Sequence, residues 1–492
     1  MGRVLTKNNR DNFLSLFTGL LAIILPSLAA GMWIAASTAH AGGLPEAEWE
    51  VVGEFFPTGR ITIPMSGGRA LLTSTSGPCL SNPEKFCESR IAYLYEPATG
   101  LRRVADAPAP LERHFGAALD DDRVLVGGGG PFGPDGNLRI SDKCFIYDAR
   151  SDSWSEAARM PKGTFEIYTN IAASLNDEDG RVIVTGGSTE EDVISFEDLV
   201  ILASRNVFIF NPNGNTRYPD GTELLGHWEE GEKMPAKMPA TRGFATHVPG
   251  AFTRKSFPLP EEKRGIEVGR ATHHTVVLSD GKVLLIGGRW TQPAAYYGIV
   301  EVDMYDPVTN QWTRLSNMPT FPDDADAGYA GRAFPGVSLL ENDEVLIFGG
   351  LANRLEEGGK NGQVNFINKG PRVPRSSAMV LNPRTNEWRR VGDMNFPRSG
   401  PLAAQWPYKN GLFGLAIGGS MLNSFPAPSE VYDSSTETWF LLPTEPETPT
   451  KEDTIRMGTG LTDGTVLTWS IPLDGIEMRL VKRLHPAGLQ GE

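Results

Sequence analysis

The sequence predicts an all-β fold, in which one β-propeller of seven four-stranded blades is closed by an N-terminal strand. Three observations predict this fold. Short apolar runs end in Gly-Gly at five places along the chain. An acidic or amide residue precedes a tryptophan by six positions four times. Turn sequences of the Asp-Gly type separate the apolar runs, and these residues tolerate the left-handed backbone of tight hairpins. Because one four-stranded unit cannot bury both of its faces, such units must stack around a common axis.

The N-terminal residues are typical of a secretory signal. Basic side chains at positions 3, 7 and 10 precede an apolar run from Phe13 to Ala36, and Ala39-His40-Ala41 has the form of a cleavage site. We expect cleavage after Ala41, export to the periplasm or the extracellular space, and one domain over residues 42–492. Since the apolar run is longer than in most signals, an uncleaved anchor is the alternative. No later segment is apolar over a length that would span a membrane.

Composition excludes some partners and cofactors. The formal net charge is −14, and such a surface repels nucleic acid, so we expect no nucleic-acid partner.

Of the three cysteines, Cys79 and Cys87 bracket a short loop and can form a disulfide in an oxidising compartment, two free thiols being the alternative. Cys144 lies in an apolar run and is predicted to be a buried thiol. No zinc spacing occurs, and we predict no metal or cofactor.

The first two strands of each blade can be placed in order along the chain. The predicted segments are Ile61 to Ser74, His114 to Gly128, Asn170 to Gly187, His273 to Gly288, Phe334 to Gly350, Leu402 to Gly419 and Met457 to Ser470. The last unit lacks a tryptophan strand of its own, whereas the segment from Trp49 to Pro57 has the character of a fourth strand. We expect this segment to join residues 454–482 and to close the ring. Six blades with a loose end are the alternative.

The predicted outer strands carry the tryptophans. The six-residue spacing joins Asp148 to Trp154, Asp306 to Trp312, Asn382 to Trp388 and Asp433 to Trp439, and a fifth unit places Phe210-Asn211 before Trp228. A large indole at this place can act as an apolar wedge against the neighbouring blade. The unit is most complete in residues 282–319, where the Gly-Gly strand, the Tyr-Asp strand end, the tryptophan and a Met-Pro pair follow one another.

These motifs resemble the kelch repeat, and the resemblance covers nearly all of the chain after the signal. It implies a propeller that binds a protein or carbohydrate ligand through loops at one face. The galactose oxidase family is distantly similar, which implies a copper site or, in other relatives, a sugar epimerase site on the axis. His273 and His274 match the oxidase histidines best, but His273 has no adjacent tyrosine and no cysteine lies on a first strand near the axis. We therefore favour a non-enzymatic binding module, with an axial enzyme as the alternative.

A ring of polar side chains is predicted at one mouth of the propeller channel. Alignment of the first strands gives the candidate ligand-binding residues Arg60, His114, Asn170, Arg270, His273, His274, Arg332, Arg398 and Arg456. If these residues converge, their positive charge attracts a carboxylate or an acidic sugar. The alternative is that each arginine bonds backbone carbonyls of the next blade.

The surplus length of the chain lies in three long loops, at residues 189–204, 235–269 and 351–374. Long loops on a rigid scaffold are places where proteins carry binding sites, and disordered surface insertions are the alternative.

Overall fold

The fold is all-β, as the sequence predicts. The computed structural model describes residues 47–486 except for gaps at 56–60, 74–76, 80–81, 88–89, 112, 132–137, 166–169, 196–199, 237–238, 241–242, 248–253, 259–265, 290, 293–298, 320–330, 333, 353–354, 357–366, 369–372, 409–410, 420–426, 444–453 and 473–478. Among the residues that the structure describes, no helix has the length and hydrophobicity of a membrane span. Short 3-10 turns occur at Ser66–Gly68, Glu190–Asp192 and Glu341–Asp343.

The main strands form four-stranded antiparallel units. Units 1 to 3 contain β2 (Ile61–Met65), β3 (Arg69–Thr73), β6 (Ala92–Glu96) and β7 (Gly100–Val104); β8 (Phe115–Ala118), β9 (Arg123–Gly127), β10 (Cys144–Asp148) and β11 (Ser153–Ala157); β12 (Ala172–Ser174), β13 (Val182–Thr185), β16 (Val207–Arg217) and β17 (Glu223–Glu230). Units 4 and 5 contain β22 (His274–Val277), β23 (Val283–Ile286), β25 (Asp303–Asp306) and β26 (Gln311–Arg314); β27 (Gly336–Leu339), β28 (Val345–Phe348), β33 (Ala378–Asn382) and β34 (Glu387–Val391). Units 6 and 7 contain β35 (Leu402–Tyr408), β36 (Gly411–Ile417), β37 (Glu430–Asp433) and β38 (Thr438–Leu441); β39 (Thr454–Gly460), β40 (Val466–Pro472), β41 (Arg479–Pro486) and β1 (Ala47–Phe55).

These units are blades arranged in a closed ring. Five of them are separate sheets, and the second and third form one eight-stranded sheet through a single parallel pairing of Ala157 with Leu225. Counting each half of that sheet as a blade gives seven blades in the described part of the chain. Apolar clusters fill the successive junctions, from blades 1 and 2 around to blades 6 and 7. The ring closes where Leu72 and Tyr95 of blade 1 pack with Leu467 and Val481 of blade 7.

The N-terminal strand completes the last blade. β1 pairs antiparallel with β41, so that Ala47 lies opposite Pro486 and Phe55 lies opposite Arg479. β1 is therefore the fourth strand of blade 7, which confirms the prediction that the N-terminal segment joins the last unit. Because β1 and β41 pair in one blade, the ring cannot open there without loss of backbone hydrogen bonds.

Among the described blades, tryptophans join the outer strands of blades 2 to 7 to the preceding blade. Each indole Nε1 donates to a backbone carbonyl just after that blade's outer strand. The pairs are Trp154 to Ala105 at 2.8 Å, Trp228 to Ala158 at 2.8 Å, Trp312 to Glu232 at 2.8 Å, Trp388 to Ser316 at 3.1 Å and Trp439 to Gly392 at 2.9 Å. Trp49 of β1 makes the equivalent bond to Pro443 at 3.2 Å, so it supplies the tryptophan that the last unit lacks in sequence order.

The acidic or amide residue six positions before tryptophan builds the turn between the outer strands. Asp148 Oδ1 accepts hydrogen bonds from the amides of Arg150 and Ser151, and Asp306 Oδ1 accepts them from Val308 and Thr309. The carboxylate satisfies amides that no strand partner reaches. This repeat position is therefore part of the scaffold.

The two faces of the propeller differ. Since strands alternate in direction, connections from second to third strands and from one blade to the next lie at one end, which we name the insertion face. The opposite end carries the tight turns between first and second and between third and fourth strands, and we name it the hairpin face. Ala47 and Pro486 also lie at the hairpin face, because β41 runs toward it.

The insertion face carries additional short strands. They are β4 (Gly77–Cys79), β5 (Asn82–Cys87), β14 (Val193–Ser195), β15 (Val200–Leu202), β18 (Pro239–Ala240), β19 (Gly243–His247), β20 (Arg254–Pro258), β21 (Ile266–Glu267), β24 (Thr291–Gln292), β29 (Leu351–Ala352), β30 (Leu355–Glu356), β31 (Ile367–Asn368) and β32 (Val373–Pro374). The segments 189–204, 235–269 and 351–374, predicted as loops, thus also contain paired strands.

Candidate functional site

Three arginines that were predicted at the channel mouth are buried and make the same contact in successive blades. Arg270, Arg332 and Arg398 each precede the first strand of a blade and have no solvent exposure. Each Nη1 donates to the carbonyl of the first glycine in the Gly-Gly pair of the same blade. The distances are 3.2 Å from Arg270 to Gly287, 2.9 Å from Arg332 to Gly349 and 3.0 Å from Arg398 to Gly418.

The Nη2 atoms of these arginines bind side chains of the third strand or of the residues just before it. Arg270 forms an ion pair with Asp303 at 2.5 Å, and Arg398 forms one with Glu430. Arg332 instead donates to the Ser377 hydroxyl at 2.7 Å. Burial lowers the pKa of Arg270 and of Arg398, while the facing carboxylate opposes that change. At these positions the guanidinium groups are buried and donate to acceptors inside their own blades, and ligand binding by them stays a prediction.

The predicted residues of blades 2 to 4 bind the blade before them. His114 is buried, and its Nε2 lies 2.6 Å from the Thr73 hydroxyl of blade 1. The equivalent His273 lies 2.9 Å from the Thr185 hydroxyl of blade 3. Asn170 donates to the carbonyl of Gly116 at 2.6 Å. These side chains hold neighbouring blades together, and His114 and His273 are buried while Asn170 is half-buried.

Burial also decides the protonation of the two histidines. It lowers the pKa of His114 to about 4, and it lowers the pKa of His273 well below the ordinary value, with the charge of Arg270 acting in the same direction. Both rings are therefore neutral near pH 7. A neutral ring suits the bond to a threonine hydroxyl, whereas a buried cation here would lose its hydration.

The two consecutive histidines have different neighbours. His273 bonds Thr185 of blade 3, while His274, the first residue of β22, bonds the backbone of Pro335 at the start of blade 5. Held from opposite sides, the rings do not converge as a pair of copper ligands does. Within the described ranges, no group of three or more His, Cys, Asp or Glu side chains is placed to hold a metal ion.

The remaining predicted residues are described only in part. Arg60 lies outside the described residues. Arg456 lies in β39, and Cys79 and Cys87 lie in β4 and β5, but the positions of their side chains are not described. The disulfide therefore stays a prediction. Cys144 is a buried free thiol, as expected.

Sequence reasoning missed a layer of structure on the insertion face. β15 in the insertion of blade 3 pairs with β24 in the insertion of blade 4. Ile201 of β15 packs with Leu138 from the insertion of blade 2 and with Phe165 from the connection to blade 3. We name these joined segments the insertion layer. The signal available in the sequence was the apolar run Val200–Leu202 inside a stretch that was predicted as a loop.

Known proteins agree with the repeat geometry. The family model for the Kelch motif matches residues 270–319. Similar curated proteins include Kelch-like protein 15 of Danio rerio, 25% identical over 61% of this chain and 46% of that protein, and Kelch-like protein 15 of Homo sapiens, 25% identical over 55% of this chain and 41% of that protein. The chain is a kelch-repeat β-propeller.

The chain is also similar to other proteins with lower sequence identity. Kelch-like protein 26 of Danio rerio is 22% identical over 58% of this chain and 40% of that protein. The kelch propeller described here thus spans less than half the length of these relatives. Among solved structures, YjhT has 14% identity and a TM-score of 0.48, with coverage of 80% of this chain and all of that one. Kelch β-propellers are typically protein-interaction modules.

Proposed function

We propose that this kelch propeller is an exported module that binds a protein partner at its insertion face. The observation that carries the proposal is the insertion layer, in which segments from blades 2, 3 and 4 pair and pack with one another. An ordered surface built from several blades is pre-organised, which lowers the entropic cost of binding. The first and last described residues, Ala47 and Pro486, lie at the opposite face.

The same geometry favours a protein over an acidic carbohydrate. The case for an anionic sugar depended on arginines exposed at the mouth, and Arg270, Arg332 and Arg398 are buried. It also favours binding over an axial oxidase or epimerase, since His114 and His273 join blades. The insertion layer instead presents exposed side chains such as Glu190.

A site-specific photo-crosslinking experiment tests this proposal. A benzophenone amino acid replaces Glu190 on the insertion layer or, as the matched control, Val308, which is 85% exposed in a turn of the hairpin face. Irradiation of cells that export the chain is expected to give a crosslinked protein of one mass from position 190 and not from 308. The same product from both positions, or from 308 alone, contradicts the proposal.

N-terminal sequencing of the exported protein tests the proposed export signal. The sequence is expected to begin at Gly42, and a protein that keeps residues 1–41 contradicts cleavage.

A further inference from the structure

An Asn-Gly pair lies exposed in the long outer hairpin of blade 3, at the hairpin face. This dipeptide occurs at three places in the sequence, and at Asn213-Gly214 the structure describes both residues. Residues 212–214 fall at a shift in the register between β16 and β17, so they bulge from the ladder. The proposed function at the insertion face does not depend on this site.

The backbone nitrogen of Gly214 is open to reaction. A nitrogen that follows asparagine can attack the side-chain carbonyl carbon of that asparagine, and glycine is the least hindered residue for this attack because it has no Cβ. At Gly214, which has a φ of +86°, an added Cβ would meet nothing within 4 Å beyond its chain neighbours. The fold therefore does not shield this nitrogen.

His227 of β17 contacts the peptide group that would react. Its Nδ1 donates to the Asn213 carbonyl oxygen at 3.2 Å, and its Nε2 lies 3.3 Å from Glu229. The same peptide group contains the Gly214 nitrogen, so a negative charge that forms on this nitrogen is shared with the carbonyl oxygen by resonance. A donor at the oxygen where charge develops stabilises that state. His227 thus favours the nucleophilic form of the peptide nitrogen.

Asp179 contacts the side-chain nitrogen that would leave. Asn213 Nδ2 donates to Asp179 Oδ1 at 3.1 Å and to the Asp179 carbonyl oxygen at 3.4 Å. This nitrogen leaves as ammonia only after it gains a proton, and a carboxylate beside it stabilises the positive charge of that step. Asp179 comes from the turn between β12 and β13, so only the folded blade brings it and His227 to Asn213.

We propose that Asn213-Gly214 is a self-catalysed deamidation site, at which His227 and Asp179 accelerate the reaction. The Gly214 nitrogen loses its proton and bonds to Cγ of Asn213, and the Cγ–Nδ2 bond breaks with release of ammonia. Water then opens the succinimide ring, at the side-chain carbonyl to give aspartate or at the main-chain carbonyl to give isoaspartate. In sum, asparagine and water become aspartate or isoaspartate and ammonia, and nothing is oxidised or reduced.

The product changes a contact between two turns of the hairpin face. A carboxylate replaces the donor Nδ2 and faces the Asp179 carboxylate, so a hydrogen bond becomes a repulsion between like charges. The outer hairpin of blade 3 then loses its side-chain bond from Asn213 to the turn between β12 and β13. Because this chemistry does not reverse, the altered form accumulates with the age of the protein.

Peptide mapping of the whole chain tests the reaction. Trypsin releases residues 206–217 as one peptide, which contains Asn213 and also Asn215, an exposed asparagine followed by threonine that serves as the internal comparison. After incubation of the folded protein at neutral pH, fragment ions measure the conversion at each position, and isoaspartate identifies the succinimide route. Asn213 is expected to convert faster than Asn215. Equal rates at the two positions overturn the proposal.

Two variants test the assisting side chains. His227→Phe keeps a ring but removes the donor, and it is expected to slow conversion about fivefold, the factor that corresponds to one ordinary hydrogen bond. Asp179→Asn, in an exposed turn, is expected to slow conversion as well. In concentrated urea both variants and the parent chain are expected to convert at equal rates. An unchanged rate in a folded variant overturns the role of that side chain, and so does a difference that persists in urea.

Asn213→Asp tests the effect of the product, because it carries the same charge. It is expected to lower the urea midpoint of the parent chain. The variant that combines Asn213→Asp with Asp179→Asn exchanges donor and acceptor and is expected to restore that midpoint. A midpoint that is unchanged in Asn213→Asp, or is not restored in the combined variant, overturns the repulsion.

Discussion

Replacement of Arg398 by methionine tests the conclusion that the mouth arginines are structural. Both partners of the Arg398–Glu430 pair have no exposure. Removal of one partner of a buried pair costs roughly 3 to 5 kcal/mol, because an uncompensated charge stays behind. Glu430 keeps bonds from the Asn395 amide and side chain, each at 2.7 Å, which places the expected loss near the lower bound.

Arg332→Met is the matched control, because blade 5 has Ser377 in place of a carboxylate. Arg332 donates to the Gly349 carbonyl, the Ser377 carbonyl at 2.6 Å and the Ser377 hydroxyl. Its loss leaves neutral acceptors unsatisfied, at roughly 1 to 3 kcal/mol. We therefore expect Arg398→Met to lower the free energy of unfolding more than Arg332→Met does.

Urea denaturation followed by tryptophan fluorescence measures these losses as shifts of the midpoint at constant slope. The variant that combines Arg398→Met with Glu430→Gln removes the stranded charge and is expected to recover at least about 1 kcal/mol over Arg398→Met alone. Equal losses for Arg398→Met and Arg332→Met, without recovery by Glu430→Gln, would refute the electrostatic explanation. Unchanged stability in all three variants would refute the structural role itself.

Three further predictions concern the blade junctions. Folding lowers the pKa of His114 to about 4. As the pH falls, the unfolded chain therefore binds a proton at this ring before the folded chain does. The free energy of unfolding should fall by about 1.4 kcal/mol per pH unit between about pH 6.5 and about pH 4. The variant His114→Asn should lose this part of the slope in urea midpoints measured at pH 7 and pH 5, and an unchanged slope would argue against a neutral buried ring. Trp49→Phe removes the indole bond to Pro443 and should cost about 1 kcal/mol, similar to Trp439→Phe in the same assay; no cost at Trp49 would mean that β1 does not close the ring as described. Gly186→Ala and Gly214→Ala both place a side chain at a positive φ. Only at Gly186 would the new Cβ lie close to a carbonyl oxygen, 2.2 Å from that of Arg270, so the thermal unfolding midpoint of Gly186→Ala should fall further than that of Gly214→Ala. Equal shifts of the two midpoints would contradict that close approach.

The scaffold was predictable because its signals are local and repeated. Hydrophobic runs, turn residues and the spacing from Asp306 to Trp312 act over a few positions, so they indicate strands and turns without knowledge of the neighbours. The missing tryptophan of the last unit pointed to Trp49, and the bond to Pro443 places that residue where the repeat needs it. Such periodic signals can be counted along the chain.

The surroundings of the candidate site residues were not predictable in the same way. The alignment correctly made Arg270 equivalent to Arg398, and His273 equivalent to His114, but it did not determine whether their polar atoms face solvent. The partner of His273 is Thr185 of the preceding blade, 88 residues away, and the partner of Arg398 is Glu430 across the same blade, 32 residues away, so neither contact follows from residues close in the chain. The pairing of β15 with β24 has the same origin, since the two strands belong to different blades.

Sequence patterns were sufficient to show that the chain repeats a four-stranded unit, where each unit begins and which strand completes the last one, because strand and turn formation depend on residues close in the chain. The tertiary structure decided that the mouth arginines and histidines are internal, that insertions of three blades join on one face, and that His227 and Asp179 contact Asn213 on the other. These properties depend on burial and on contacts between residues that are distant in the chain, and residues adjacent in the sequence determine neither of them.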